Sequence, residues 1–552
     1  MAPKRESKGK AKKKSGGGKS TAARGKGSKA KAPAKSSAKS SAKSTARTKA
    51  AKPKATAASK AKPKPASRQA APGQATPNPP MQPRIVIDPE TREKLTRLRN
   101  AANRLQGEDR LADAMTAYQT YLSLQPNDSG MWSNFGVALR KAQHFEAAVA
   151  CYRRALEIKP DTASYLGNLG NALKDIDQID EALEAHRAAV ELAPDDHALR
   201  YNYGIALREA ALFAEALEQF DRCIENKPDE ANVQWDRALA LLHLGRLEEG
   251  WAAYEWRWKI GELKPPPYES PPWNGEDLQG KTILLFPEQG LGDTMLTSRF
   301  VPLVKARGAT VILECKPPLW RLFEGLPGVD RLIKPGTMKS GMDFHCSLMS
   351  LPRIFEAAPD NLPSPLPLRI PDSARERAQR ILRLAGTRFK VGVVWSGSVT
   401  YKGNRKRSVT PERFIDFATV PGVQLYSLYK GPLDGQLKEN GASALIIDVA
   451  SKDKDFADTA GVIEGLDLVI MTDSAAAHLT GTLGRPIWNL LAYSPYWLYG
   501  PTGETTPWYP SMRLFRQPAP GDWDATFDAA RAELETAVAA KQAGHWPPTN
   551  GA

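Results

Sequence analysis

Apolar, small and polar positions recur with a period of 34 residues between about 98 and 260. Prolines mark each period, at Pro126, Pro160, Pro194 and Pro228. Small residues align at Ala102, Gly136, Gly170, Gly204 and Ala238, leucines at Leu105, Leu139, Leu173, Leu207 and Leu241, and alanines at Ala114, Ala148, Ala182 and Ala216. Small residues let paired helices approach closely, leucine fills the seam, and proline follows a helix end because it cannot continue the turn. The pattern predicts an all-α solenoid over 90–262 with a concave binding face.

From Lys281 onward, short apolar runs alternate with amphipathic stretches. Strands are predicted at 282–286, 309–315, 329–334 and 343–347, with helices at 294–305, 317–325 and 349–357. A second series is predicted with a helix at 373–384 and strands at 390–395, 423–428, 444–448, 467–471 and 486–491. Such alternation is typical of parallel sheets connected by helices, so we expect two Rossmann-like domains over 281–372 and 373–545.

The segment 263–280 separates the repeats from the first of these domains, holds five prolines and Trp273, and follows the aromatic run Trp251–Trp258. A loose linker is instead rich in glycine and serine. The composition therefore favours a fixed joint.

The charge of the 552-residue chain is unevenly distributed. Residues 1–80 hold 23 Lys or Arg and one acid, Glu6, which leaves 54 basic and 60 acidic residues in 81–552. With almost no large apolar side chains, the tail over 1–84 is expected to be disordered. Its lysines could bind nucleic acid or an anionic membrane surface. A solubilising or tethering role is the alternative.

No apolar run approaches the roughly 20 residues that a membrane-spanning helix needs, and the N-terminal MAPKRESKGK lacks the apolar core of a secretion signal. We therefore expect a soluble cytoplasmic protein without a transmembrane segment. The four cysteines are Cys151, Cys223, Cys315 and Cys346. Because they form no CxxC pair, we expect reduced core residues.

A polar column accompanies the repeats, two residues before each small position. Its members are Asn100, Asn134, Asn168, Asn202 and Asp236. A side-chain amide offers both a donor and an acceptor to a peptide group, so the column suits an extended peptide on the concave face. Bonding between neighbouring helices is the alternative.

Loops after three predicted strands carry residues that suit a phosphate. The turn after strand 282–286 does not match GxGxxG, so it does not predict a dinucleotide site. Basic side chains beyond a strand's carboxyl end, and free N–H groups at a helix N-terminus, both favour an anion. The candidate donor-binding residues are Gly290, Gly292, Thr294, Ser396, Arg405, Arg407, Asp473, Ser474 and His478.

The 34-residue pattern resembles the tetratricopeptide repeat. The runs 288–293 and 405–408, together with 473–486, resemble the family 9, lipopolysaccharide heptosyltransferase-like glycosyltransferases over roughly 280–517. The junction Gly250–Arg257 and the ending 508–517 resemble a bacterial branch in which such repeats precede this catalytic domain. A similar asparagine ladder grips peptides in O-linked N-acetylglucosamine transferase.

The glycosyltransferase resemblance implies a GT-B architecture of two Rossmann-like domains, a nucleotide-sugar co-substrate, and neither cofactor nor metal. It also implies that Asp293 is the general base for the acceptor hydroxyl. Capping of a helix is the structural alternative for Asp293, and packing within its own helix is the alternative for His478. Two Asp-x-Asp pairs, at 453/455 and 522/524, do not directly follow buried strands, so we expect solvated helix starts there.

Three functions remain open. The leading hypothesis is a glycosyltransferase that moves a sugar from a nucleotide-sugar donor to a protein or glycan acceptor recruited by the repeats. The second is a non-enzymatic scaffold with a basic nucleic-acid- or membrane-binding tail and a degenerate GT-B domain. The third is a lipopolysaccharide-core heptosyltransferase at the inner membrane.

Overall fold

The structure is a computed structural model that describes residues 88–547 except 262 and 265. The tail expected over 1–84, together with its nucleic-acid or membrane contact, lies outside the described residues.

The first half of the described chain consists of helices in five consecutive pairs. They are α1 (Pro89–Gly107), α2 (Leu111–Leu124), α3 (Ser129–Lys141), α4 (Phe145–Ile158), α5 (Ala163–Asp175), α6 (Ile179–Leu192), α7 (His197–Glu209), α8 (Phe213–Asn226), α9 (Ala231–His243) and α10 (Leu247–Tyr254). Each pair occupies one 34-residue period, so this region is an all-helical solenoid.

Each glycine of the small column receives an aromatic ring from the second helix of its pair. The contacts join Gly136 to Tyr152, Gly170 to His186 and Gly204 to Phe220. A Cβ at any of the three glycines would lie within 2.7 Å of the ring. The small positions therefore set the distance between paired helices, as the sequence predicts.

Ion pairs between neighbouring repeats follow a regular spacing. Arg140 Nε lies 2.5 Å from Asp175 Oδ2, and Lys174 Nζ lies 3.0 Å from Glu209 Oε1. In both cases the acid follows the cation by 35 residues, one position beyond a full repeat. Because these side chains are partly buried, the pairs help to fix the orientation of successive repeats.

The second half contains two parallel sheets. The strands are β1 (Thr282–Phe286), β2 (Thr310–Glu314), β3 (Arg331–Ile333), β4 (Phe344–Ser347), β5 (Phe389–Val394), β6 (Val423–Ser427), β7 (Ile446–Asp448), β8 (Leu468–Thr472), β9 (Ile487–Leu491) and β10 (Met512–Arg516). The strand orders are β3-β2-β1-β4 and β10-β9-β8-β5-β6-β7. All paired neighbours are parallel.

Helices lie between most of these strands, as parallel neighbours require, and the last helix follows β10. They are α11 (Leu291–Ser298), α12 (Val301–Ala306), α13 (Trp320–Phe323), α14 (Leu351–Ile354), α15 (Asp372–Leu382), α16 (Ile415–Ala418), α17 (Gln436–Glu439), α18 (Phe456–Glu464), α19 (Ala475–Thr482) and α20 (Trp523–Gln542). The helix predicted over 294–305 is broken between α11 and α12, because Pro302 cannot supply an N–H to a continuous helix.

The last repeats share one hydrophobic core with the sheets, and the first repeats have a core of their own. Trp251 on α10 is 1% exposed and packs edge-on against Trp497, with ring centroids 5.1 Å apart. Arg257, just beyond α10, is buried and ion-paired with Glu288 in the turn after β1. These contacts fasten residues 251–257 to both sheet regions.

None of the described helices is both long and apolar enough to cross a bilayer. All four cysteines are buried and free, as their spacing predicts.

Candidate active site

Helices α11 and α19 begin at the carboxyl edges of the two sheets and meet near their first turns. A Cβ added to Gly292 on α11 would lie 2.5 Å from Cδ2 of His478 on α19, so glycine is needed for this approach. The first turn of each helix has backbone N–H groups without intrahelical partners. The contact therefore brings two positive helix ends together.

Asp293 is the third residue of α11 and lies at this meeting point. Its Oδ2 accepts the N–H of Gly290 at 3.0 Å, which is the capping contact foreseen as its structural role. Its Oδ1 accepts the hydroxyl of Tyr496 at 3.1 Å, a contact from the second sheet region. Burial, and then the charge of Asp293, raises the pKa of Tyr496 well above its ordinary value, so this hydroxyl remains a donor.

His478 is buried on α19, with Nδ1 3.1 Å from the hydroxyl of Tyr509. Burial lowers the pKa of its imidazole below the ordinary value, although the carboxylates of Asp473 and Asp293 oppose this effect. The ring is therefore neutral at pH 7 and has one donor and one acceptor nitrogen. It packs against Gly292 and also borders the candidate site.

Asp473, just before α19, accepts two hydrogen bonds from side chains. Its Oδ1 accepts the hydroxyl of Tyr499 at 2.6 Å, and its Oδ2 accepts Nη1 of Arg407 at 2.8 Å. The Arg407 guanidinium also lies over the ring of Tyr401, 4.6 Å from its centroid. The structure thus brings Arg407 and the start of α19 together.

Three hydroxyls of the predicted donor set form hydrogen bonds close to their own positions in the chain. Ser396 lies 2.9 Å from the hydroxyl of Ser408, Thr294 donates to a carbonyl one turn earlier, and Ser474 accepts a backbone N–H as the N-cap of α19. These hydrogen bonds shape the loops, and the binding of a donor by the three side chains stays a prediction.

Arg405 occupies a different place from the one its sequence position predicts. Its Nη2 donates to the carbonyl of Asp175 at 3.2 Å and lies 3.4 Å from Oδ2 of Asp177, both on the repeats. The neighbouring Lys406 also contacts the repeats, through Glu209. Arg405 is therefore a contact between the loop and the repeats, because the acidic edge of the array packs beside this loop.

The polar column of the repeats is not uniform. The amide of Asn134 donates to Asn103 at 3.2 Å, which is the alternative role of bonding between helices. Asp236 is 7% exposed and bonded to Tyr201 and Arg208, so its carboxylate is not offered to a peptide. Asn100, Asn168 and Asn202 form no side-chain hydrogen bonds to other described residues.

The Asp-x-Asp pairs differ from each other. Asp453 is 3% exposed and is bonded to Arg377 and Thr459, so the expectation of a solvated helix start is wrong there. Asp455 and Asp522 do cap helices, α18 and α20.

Sequence reasoning missed Tyr496 and Tyr499, the donors to Asp293 and Asp473. The available signal was their position beyond the carboxyl end of β9, the strand beside β8. It also missed Arg299, which is 2% exposed and donates to the Trp508 carbonyl at 2.9 Å. Arg299 thereby ties α11 to the second sheet region.

Family models of the TPR repeat match residues 136–177, and models described as tetratricopeptide repeat match 168–227 and 204–255. The helix pairs in this part of the chain are therefore tetratricopeptide repeats, as the period of 34 predicts. Repeats of this class indicate a role in binding a protein or peptide partner.

The chain is also similar to the protein named FlbA from Caulobacter vibrioides, with 30% identity over 325 residues. The match covers 52% of this chain and 52% of that protein, so the chain spans about half the length of this curated relative.

Solved structures resemble part of the chain. YrrB, described as a TPR protein with an unusual peptide-binding site, is 23% identical with a TM-score of 0.28, covering 31% of this chain and 89% of that one. A MamA structure from Desulfovibrio magneticus RS-1 is 21% identical with a TM-score of 0.28, covering 31% and 94%.

Proposed function

We propose that the chain is a glycosyltransferase of the GT-B type that moves a sugar from a nucleotide-sugar donor to a protein or glycan acceptor recruited by the repeats. The observation that carries the proposal is the convergence of Asp293, His478 and the Arg407–Asp473 pair where α11 meets α19. Ligands of parallel α/β sheets bind beyond the carboxyl ends of the strands, and here two such edges contribute to one place.

The proposed reaction assigns a task to each group. The acceptor hydroxyl attacks the anomeric carbon and loses its proton to the Asp293 carboxylate, while the bond from that carbon to the nucleoside diphosphate breaks. The leaving diphosphate gains negative charge. Arg407, which is held by Asp473, and the N–H groups at the start of α19 would stabilise this charge from fixed positions. The proposal includes no metal, in line with the resemblance.

The acceptor would be held on the repeats. Asn168 and Asn202 are one repeat apart and partly exposed, and their amides form no hydrogen bonds to other described residues. Each amide can donate to and accept from a peptide group. These two residues are therefore the centre of the proposed peptide-binding surface.

The decisive experiment incubates the full chain with a panel of uridine, guanosine, adenosine and cytidine nucleotide sugars, and measures thermal shifts and slow donor hydrolysis. Asp293→Asn is expected to lower hydrolysis at least 100-fold, since general-base catalysis contributes roughly 10²–10⁴-fold. Asp360→Asn, at an exposed aspartate of the first sheet region, is the matched control. If no nucleotide sugar shifts the melting temperature or is consumed, the proposal fails.

A non-enzymatic scaffold is the second candidate, and one observation favours it. Both carboxylate oxygens of Asp293, and both of Asp473, already accept hydrogen bonds from within the chain. A scaffold would bind a partner through the repeats, and Asp293→Asn would then change neither nucleotide-sugar binding nor turnover.

A further inference from the structure

A cavity of about 290 Å³ lies between the first sheet and the chain that follows α10. Its walls come from the 3₁₀ turn Glu255–Trp258, the proline-rich segment after it, and the ends of β1 and β4. The lining residues that matter here are Trp258, Trp273, Phe286, Glu255, Ser350 and Arg353. Apolar walls with a few convergent polar groups are typical of small-molecule sites, and this volume is just below their usual range of roughly 300–1,000 Å³.

The polar groups of the cavity are held in place by other side chains. Glu255 accepts Nη1 of Arg257 at 2.8 Å through Oε1, and the hydroxyl of Ser350 at 3.1 Å through Oε2. Arg353 donates through Nη2 to Asn274 at 3.0 Å. The site is therefore organised without a ligand.

One donor in this wall has no partner. The buried Nε of Arg353 makes no hydrogen bond to any described residue, and Glu255 Oε1 is 3.9 Å away, beyond hydrogen-bond reach. A buried donor without an acceptor is costly. An oxygen atom of a ligand would provide one if the partly exposed side chain turned its Nε towards the cavity.

The charges around the cavity balance. Arg257 and Arg353 are positive, and Glu255 and Glu288 are negative, with Arg257 bonded to both glutamates. A charged occupant would leave this set unbalanced, so an uncharged polar molecule fits better. The aromatic walls favour a molecule with one face of C–H groups, because the face of an aromatic ring is negative.

We propose that this cavity binds one ring of an uncharged sugar. Its C–H face packs on Trp258, and its hydroxyls bond to Glu255 and Arg353. We assign the cavity to the acceptor side because Phe286 in its wall and Asp293 belong to the same strand-turn-helix connection. This assignment rests on the proposed function. The binding of a sugar does not depend on that function.

The test is saturation-transfer difference NMR on the full chain with a panel of neutral methyl glycosides and disaccharides. We expect transfer to the ring protons of at least one sugar, reduced at least fivefold in Trp258→Ala. Trp256→Ala is the matched control. Trp256 lies in the same 3₁₀ turn but outside the cavity wall, with Lys259 3.9 Å over its ring, and its loss should leave the signal unchanged. Circular dichroism checks that both variants are folded.

The proposal is overturned if no neutral sugar receives saturation, if Trp258→Ala and Trp256→Ala behave alike, or if only charged sugars or peptides bind. Donor hydrolysis by the wild-type chain separates this proposal from the previous one. If the chain binds a neutral sugar but consumes no nucleotide sugar, the sugar-binding proposal stands and the glycosyltransferase proposal fails. If it consumes a nucleotide sugar but binds no neutral sugar, the glycosyltransferase proposal stands and the sugar-binding proposal fails.

Discussion

Lys406, in the loop after β5, donates a hydrogen bond of 2.7 Å to Glu209 on α7 of the repeats. Glu209 also accepts Lys174 at 3.0 Å. Burial opposes ionisation of Glu209, but Lys174 and Lys406 outweigh it and lower the pKa of the carboxyl to about 2. The next residue, Arg407, pairs with Asp473 at the start of α19. The repeats therefore hold the loop that borders the candidate donor site.

Removal of this anchor should loosen the loop. We expect Glu209→Ala to lower the free energy of unfolding by roughly 1–2 kcal/mol, because two lysines lose their shared partner but one of them is well solvated. Under native conditions, trypsin should cleave the chain within 402–408 several-fold faster than in the wild type. Mass spectrometry of the fragments measures the rate. Glu215→Ala, at an exposed glutamate on α8, is the control and should cleave like the wild type. Equal rates in the two variants would show that Glu209 does not restrain the loop.

This loop shows where prediction from sequence ends. The period of 34 predicted the helix pairs, and the apolar runs predicted strands in both sheets, because these are local patterns. The basic residues after β5 were also assigned correctly to a loop. However, Arg405 and Arg407 contact different partners. The difference arises because the repeats, more than 190 residues earlier in the sequence, pack beside this loop.

The candidate site, too, was predicted from the sequence only in part. The turn around Gly292 and the residues that open α19 were predicted because they follow strands. The roles of Tyr496 and Tyr499 as donors to the two aspartates depend on how the two sheet regions pack together, which no local pattern reports. For the same reason Asp236 was placed in the peptide-binding column, although it is buried beside Tyr201 and Arg208.

We expect Asn168 and Asn202 of the polar column to bind peptide and to contribute little to stability. Asn168→Ala combined with Asn202→Ala is expected to weaken capture of unstructured peptides on a peptide array about tenfold, since each lost hydrogen bond is worth about 1 kcal/mol or less. The free energy of unfolding should change by less than about 0.5 kcal/mol, because neither amide is used within the described chain. Unchanged capture by the double variant would remove these asparagines from the peptide site.

Asp236→Ala should show the opposite behaviour. It leaves the Tyr201 hydroxyl and the Arg208 guanidinium without their shared acceptor in a largely buried place. We expect a loss of roughly 2–4 kcal/mol in the free energy of unfolding, measured by urea denaturation. A fully stable Asp236→Ala variant with weakened peptide capture would restore Asp236 to the binding column.

Gly292→Ala tests the contact between the two sheet regions. The new Cβ would lie 2.5 Å from the ring of buried His478, so α11 and α19 must separate or the ring must move. Overpacking of this kind costs about 1–3 kcal/mol. Thermal unfolding should show the loss. Gly107→Ala is the control, because a Cβ at the end of α1 meets nothing within 4 Å. Equal melting temperatures for the two variants would contradict the close approach.

His186 gives the repeats a dependence on pH. It stands where the neighbouring repeats have Tyr152 and Phe220, and neither of its ring nitrogens has a hydrogen-bond partner among the described residues. Burial, with smaller effects from Lys174 and Arg140, lowers the pKa of the imidazole from 6.5 to about 4. The folded state therefore excludes a proton that the unfolded chain binds below pH 6.5. The resulting stability is fully present above that pH and is lost as the pH falls towards 4.

We expect His186→Phe to reduce this loss by up to about 3 kcal/mol at pH 4, the value that corresponds to the full shift. Urea denaturation of the wild type and the variant at pH 7, 6, 5 and 4 measures the difference. His243 has its pKa lowered to about 4 by burial, and it is present in both proteins, so its contribution cancels. Phenylalanine fits the site because Phe220 already packs on the equivalent Gly204. Parallel stability curves for the two proteins would show that His186 is not the titrating group.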